Sequence, residues 1–173
     1  MRWFFRITGL IFLMFALLVG FSALLPQTQT IERSQVFDLS VETIFDTVVN
    51  LRTHSSWSHL VPESTALAYG QMSGTGASAA WSQEGSVGSI EIQQTIDSSL
   101  VLTSVHVGRS SHVLTYVLAA EDTGTIVLLR SDRDLGGFPY LHRLRAKIGE
   151  ARTAAQMDAS LVRLGQVAKQ TEN

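Results

Sequence analysis

The chain contains no cysteine. That excludes disulfides, thiol catalysis, thiolate metal sites and lipid attachment through an N-terminal cysteine. It fits either side of a bacterial membrane. Proline is scarce, with 3 residues, at positions 26, 62 and 139. Charge is scarce too, at 16% of residues, because the N-terminus carries almost none. Arg2 and Arg6 lie within the first 26 residues, so the remainder holds 11 basic against 15 acidic residues, a net of −4. A mildly acidic chain is unsuited to non-specific nucleic-acid binding, which requires Lys and Arg to neutralise phosphates. Phosphate-loop and dinucleotide glycine patterns are missing, since Gly74-Thr75-Gly76 lacks the rest of either. No serine stands in a nucleophile-elbow context. No cofactor is therefore expected.

What is present begins with an apolar run. Residues 7–25, ITGLIFLMFALLVGFSALL, are 19 positions without a charge. At about 1.5 Å rise per residue they match the roughly 30 Å hydrocarbon core. Arg2 and Arg6 precede the run, Trp3 supplies an interfacial aromatic, and Pro26 stops it. No Lys or Arg follows until Arg33. The positive-inside bias then predicts a single-pass protein of a bacterial inner membrane, with its N-terminus cytoplasmic and its domain on the periplasmic or extracellular side. Residues 1–26 form the anchor and 27–173 one domain. The competing reading is a cleaved signal peptide, with Gly20 and Ser22 as its small residues; the large Leu24 and Leu25 beyond them argue against it.

A strand is predicted over 31–39. Ser40 caps a helix over 41–50, whose Val41, Ile44, Phe45, Val48 and Val49 recur at helical spacing. A short helical stretch over 54–60 ends at Pro62. Strands follow over 65–69, 77–83, 89–96, 100–107, 112–119 and 125–132, separated by Gly-, Ser- or acid-rich turns that make neighbours antiparallel. The segments 100–107 and 125–129 are apolar on both faces, as central or covered strands are. The last element is a long helix from Pro139 to about Lys169. Its predicted stripe is Leu141, Leu144, Ile148, Ala151, Ala155, Ala159, Val162 and Val167. Burying that stripe against the concave side of a curved antiparallel sheet of about seven strands gives an α+β fold, a helix-grip.

Several strings resemble the START-like, helix-grip superfamily, also called SRPBCC or polyketide cyclase/dehydrase-like. They are IERSQVFDLSVETIFDTVVNLRTHSSW, with Phe45 and Trp57, and YGQMSGTGASAAWSQEGSVGSIEI, with Tyr69, Gly74, Gly76, Trp81, Gly85 and Gly88. Gly124-Thr125 opens a later strand, and the long terminal helix follows. The resemblance covers about residues 28–168, and an anchor ending in Leu-Pro is similar to one branch of the superfamily. Leu129 stands where a tryptophan is frequent. The resemblance implies an apolar cavity between sheet and long helix, binding lipids, sterols, quinones or polyketides.

The function expected is a membrane-tethered module binding a hydrophobic small molecule, of lipid or isoprenoid class, without chemistry. The cavity-lining candidates are Trp57, Tyr69, Trp81, Tyr116, Phe138, Leu144, Ile148, Ala151 and Ala155; core packing is the alternative for each. Two other functions stand beside this one: a protein–protein module with a filled core, and a cyclase- or dehydratase-type enzyme with titratable groups converging inside. No catalytic residue is assigned. His106 and His112 share a face if three residues connect their strands and lie on opposite faces if two do; a third metal ligand is missing, so no metal is expected. Asp132, Asp134, Arg130 and Arg133 form either a polar cavity mouth or a solvated strand end. Arg143, Arg145, Lys147 and Arg152 make the start of the long helix basic, suited to anionic headgroups or simply to water.

Overall fold

The apolar run folds as helix α1 (Arg2–Ala23), and its window Arg6–Ala23 is long and apolar enough to cross a membrane. The computed structural model describes residues 2–62, 68–83, 86–108, 110–135 and 141–172. After α1 come β1 (Thr28–Phe37), α2 (Val41–Val49), α3 (His54–Trp57), β2 (Ala68–Tyr69), β3 (Ser78–Gln83), β4 (Ser86–Ile96), β5 (Leu100–Val107), β6 (Ser110–Glu121), β7 (Gly124–Asp134) and α4 (Leu141–Glu172). The architecture is α+β: a curved antiparallel sheet packed on the long C-terminal helix. The sheet order is β1-β7-β6-β5-β4-β3-β2. Six strands are long, and β2 adds a two-residue edge.

Local chemistry explains the elements. The Ser40 side chain accepts the Thr43 backbone N–H at 3.1 Å and starts α2. Ile44, Val48 and Val49 then point into the core. The β4–β5 hairpin turns through Asp97 and Ser98, both at positive φ (38° and 55°), within a three-residue connection closed by the Ser99 N–H donating to Ile96 O at 2.8 Å. Alternation puts Ile31 and Phe37 of β1, Ile90 and Ile92 of β4, Val101 and Val105 of β5, and Val127 and Leu129 of β7 on the concave side, buried under the helices.

Gly88 lies opposite Trp81 in the β3–β4 ladder, and a Cβ there would fall 2.2 Å from the indole. The glycine lets the ring lie flat over the strand. Gly88→Ala is expected to destabilise the protein by about 1–3 kcal/mol through overpacking. Gly149→Ala, on α4 with open space around it, is expected to stabilise by up to about 1 kcal/mol. Urea titration of the two variants checks the pair; equal effects would contradict it.

The register of α4 differs from the one expected. Ile148 is 75% exposed, and Ala151, Ala155, Ala159 and Val162 are exposed as well. The buried face carries Ala154, Met157, Leu161, Leu164 and Ala168 instead. Alanines occur on both sides of this helix, so a 3–4 spacing can be traced along either. Burial of the three large residues Met157, Leu161 and Leu164 decides between them, each contributing about 1.5–3 kcal/mol. Near the helix end, Gly165 lets the Phe37 ring approach to 2.7 Å of where a Cβ would stand.

Candidate functional site

The concave face is where the fold gathers its polar anomalies. Thr103 sits mid-strand in β5, facing the interior between Val101 and Val105 of its own strand. Its ladder partners are Ile92 of β4 and Leu114 of β6. All four neighbours are apolar and buried, Thr103 itself is 0% exposed, and its Oγ1 has no hydrogen-bond partner. Tyr116 of β6, opposite Val101, is diagonal to it on the same face. Burial alone pushes the Tyr116 phenol above its ordinary pKa. A buried hydroxyl with nothing to bond costs about 1–3 kcal/mol.

Trp57 closes the wall above. Its ring meets Tyr116 edge-on at 6.0 Å and 82°, and His54 at 4.5 Å. Its indole N–H donates to Thr53 Oγ1 at 3.2 Å. His54 Nε2 lies 2.7 Å from the Val48 carbonyl. A carbonyl only accepts, so Nε2 carries the proton and Nδ1, buried and unpartnered, presents a lone pair. Burial holds the His54 pKa down at about 4, keeping the ring neutral.

A second polar group lies between α3, α4 and the end of β7. His59 donates its backbone N–H to Ser160 Oγ at 3.1 Å, its Nδ1 is 2.9 Å from the same oxygen, and that hydroxyl donates to Gln156 O. The serine proton is committed, so His59 Nδ1 carries hydrogen and Nε2 does not. His112 faces the interior opposite Val105 and Arg133. Burial, then Arg133, His59 and His106, lower its pKa to about 4. Arg133 donates to Ser110 Oγ at 2.8 Å.

Two residues connect β5 and β6, since Val107 pairs with Ser110. His106 and His112 therefore take opposite faces, His106 outward. No group of three or more His, Asp or Glu converges as a metal site among the described residues. The charged run at the end of β7 divides by alternation: Arg130 pairs with Asp132 at 2.8 Å and with Glu32 at 3.6 Å on the outer face, while Arg133 turns inward.

Of the expected lining residues, Trp57, Trp81 and Tyr116 are buried on the interior side. Leu144 is half-buried at the start of α4. Ile148, Ala151 and Ala155 face away from the sheet and line nothing beneath the helix. Tyr69 pairs with Ala79 at the sheet edge; its side chain and Phe138 lie outside the described residues. The basic start of α4 also divides. Arg145 and Arg152 are exposed, but Arg143 is 4% exposed, donating to the carbonyls of Ala23, Leu25 and Leu135 at 3.2–3.3 Å. Thr103 was open to discovery from its parity with Val101 and Val105. The burial of Arg143 leaves no sequence signal.

No family model and no curated protein matches this sequence. Solved structures do match. Protein SA2116 of Staphylococcus aureus, a protein of unknown function, aligns with a TM-score of 0.68 at 10% identity, over 84% of this chain and 96% of that one. The architecture is helix-grip-like. DynU16, a protein from the dynemicin biosynthetic locus, aligns at TM-score 0.57 and 15% identity, over 81% of this chain and 47% of its own. Ara h 8.0201 aligns at TM-score 0.52 and 12% identity, over 83% and 99%. At these identities the likeness is one of fold.

Proposed function

We propose that this chain is a membrane-tethered helix-grip module that takes up a hydrophobic small molecule, of lipid or isoprenoid class and bearing a polar oxygen, between the sheet and α4, without transforming it. The unpartnered Thr103 hydroxyl on an otherwise apolar wall carries the reading. A ligand oxygen reaching it would satisfy the group while the rest of the ligand meets Val101, Val105, Ile92 and Leu114. The Tyr116 phenol, on the same face, offers a second donor. Helix α1 serves as the anchor in a bacterial inner membrane, with Arg2 and Arg6 on the cytoplasmic side. The domain then stands on the far side, beside a reservoir of such ligands.

Thr103→Val separates this reading from a structural role. Valine keeps the shape and removes the orphan hydroxyl, so the empty domain is expected to be as stable or more stable by up to about 1–3 kcal/mol. Native mass spectrometry of gently extracted full-length protein is expected to show a bound small molecule that the variant loses. No bound mass in the wild type, together with a destabilised variant, would refute the proposal. The protein-contact alternative draws on exposed Val36 and Val117, which face outward near Ile126 and Leu128; a ligand-free oligomer in the same spectra would favour it.

A further inference from the structure

A cleft of about 190 Å³ opens where α1 meets the domain. That is room for a group several times a water molecule, whose share of liquid volume is about 30 Å³. Pro26, Thr28, Gln29, Arg143, Lys147 and Glu150 contribute to its walls. We propose that this cleft holds the phosphate of an anionic membrane phospholipid, with Lys147 as the reachable cation and Arg143 as the fixed one. The inference rests on the reading of α1 as a membrane anchor.

Depth is the first argument. The Arg6–Ala23 window spans about 27 Å at 1.5 Å per residue. The cleft begins two residues beyond it and so lies at headgroup level. The junction is also built to hold that position. Arg143 takes the carbonyls of Ala23 and Leu25 at the end of α1, where a helix leaves its last C=O groups without intrahelical partners. Gln29 donates its side-chain amide to Ala146 O at 3.0 Å, tying β1 to α4. The anchor is thus fastened to the domain, and the cleft keeps its place against the bilayer.

Charge is the second argument. Lys147 is the exposed member, 66% by side chain, and one of its three donors meets Glu150 Oε2 at 2.7 Å. Two donors remain for a phosphate. Arg143, Lys147 and Glu150 sum to one positive charge. A lysine stem beside a membrane-spanning helix reaches headgroups readily. Leu25 and Pro26 offer an apolar approach for the glycerol and upper acyl carbons, which a free phosphate would not use.

The test uses full-length protein in nanodiscs of equal phosphatidylglycerol and phosphatidylcholine, followed by native mass spectrometry of the lipid that stays bound. The wild type is expected to retain phosphatidylglycerol over phosphatidylcholine several-fold. Lys147→Gln is expected to abolish most of that preference, and Glu150→Gln to increase it. Neither change touches the Thr103 wall, so an interior ligand stays bound in both. Unchanged preference in both variants overturns the proposal. Displacement of the lipid by 100 mM inorganic phosphate would reassign the site to free phosphate and overturn it as well. Failure of the wild type to float with vesicles refutes the anchor reading itself, a separate outcome from floating without lipid selectivity.

Discussion

Trp57→Ala is expected to lower the stability of the domain by about 3–5 kcal/mol, the range for deleting a buried large aromatic. Trp57 is 1% exposed and its ring is held between Tyr116 and His54. The surrounding strands are hydrogen-bonded on both sides and cannot collapse into the space. Ile148→Ala removes an apolar side chain from the outward face of α4, where 75% exposure leaves little to lose. It is expected to change stability by less than about 0.5 kcal/mol. Urea unfolding of the two variants side by side reads out the helix register. A large loss at Ile148 would mean that α4 meets the sheet with a different face, and a small one at Trp57 that its ring is not enclosed.

Acid is expected to destabilise the domain well above the ordinary carboxylate range. His54 is neutral when folded, with a pKa near 4, against 6.5 in an unfolded chain. The unfolded state therefore binds more protons between those two values. The His54 contribution is flat above pH 6.5, falls as pH drops from 6.5 towards 4, and levels off below. At about 1.4 kcal/mol per tenfold, His54 alone accounts for about 3 kcal/mol. His112, lowered mainly by burial and more open to solvent, adds to the same slope. His54→Gln is expected to flatten a large share of the change between pH 7.5 and 4.5, measured by denaturant midpoint. The same slope in the variant would show that His54 is not the buried neutral group.

Much of the fold is legible because local signals and global packing agree. The uninterrupted apolar run gives α1, Ser40 marks the start of α2, and the turn clusters separate the strands. The register of α4 is not legible in the same way. Its alanines satisfy a helical stripe on more than one face, and only the volume of Met157, Leu161 and Leu164 against the sheet breaks the tie. Arg143 illustrates a different limit. A basic residue beside Arg145 and Lys147 reads as solvated, and its burial depends on the end of α1 returning to meet it. The candidate site was half visible: Trp57, Trp81 and Tyr116 stood out by size, while Thr103 in LVLTSVHV is marked only by its parity with Val101 and Val105.

The most direct measurement is an electron-density map of the full-length protein, purified without delipidation. Continuous density that is not protein is expected between β5, β6 and α4, with an oxygen about 2.7–3.0 Å from Thr103 Oγ1. An interior filled by side chains alone, with the threonine hydroxyl turned onto a backbone carbonyl, would contradict it.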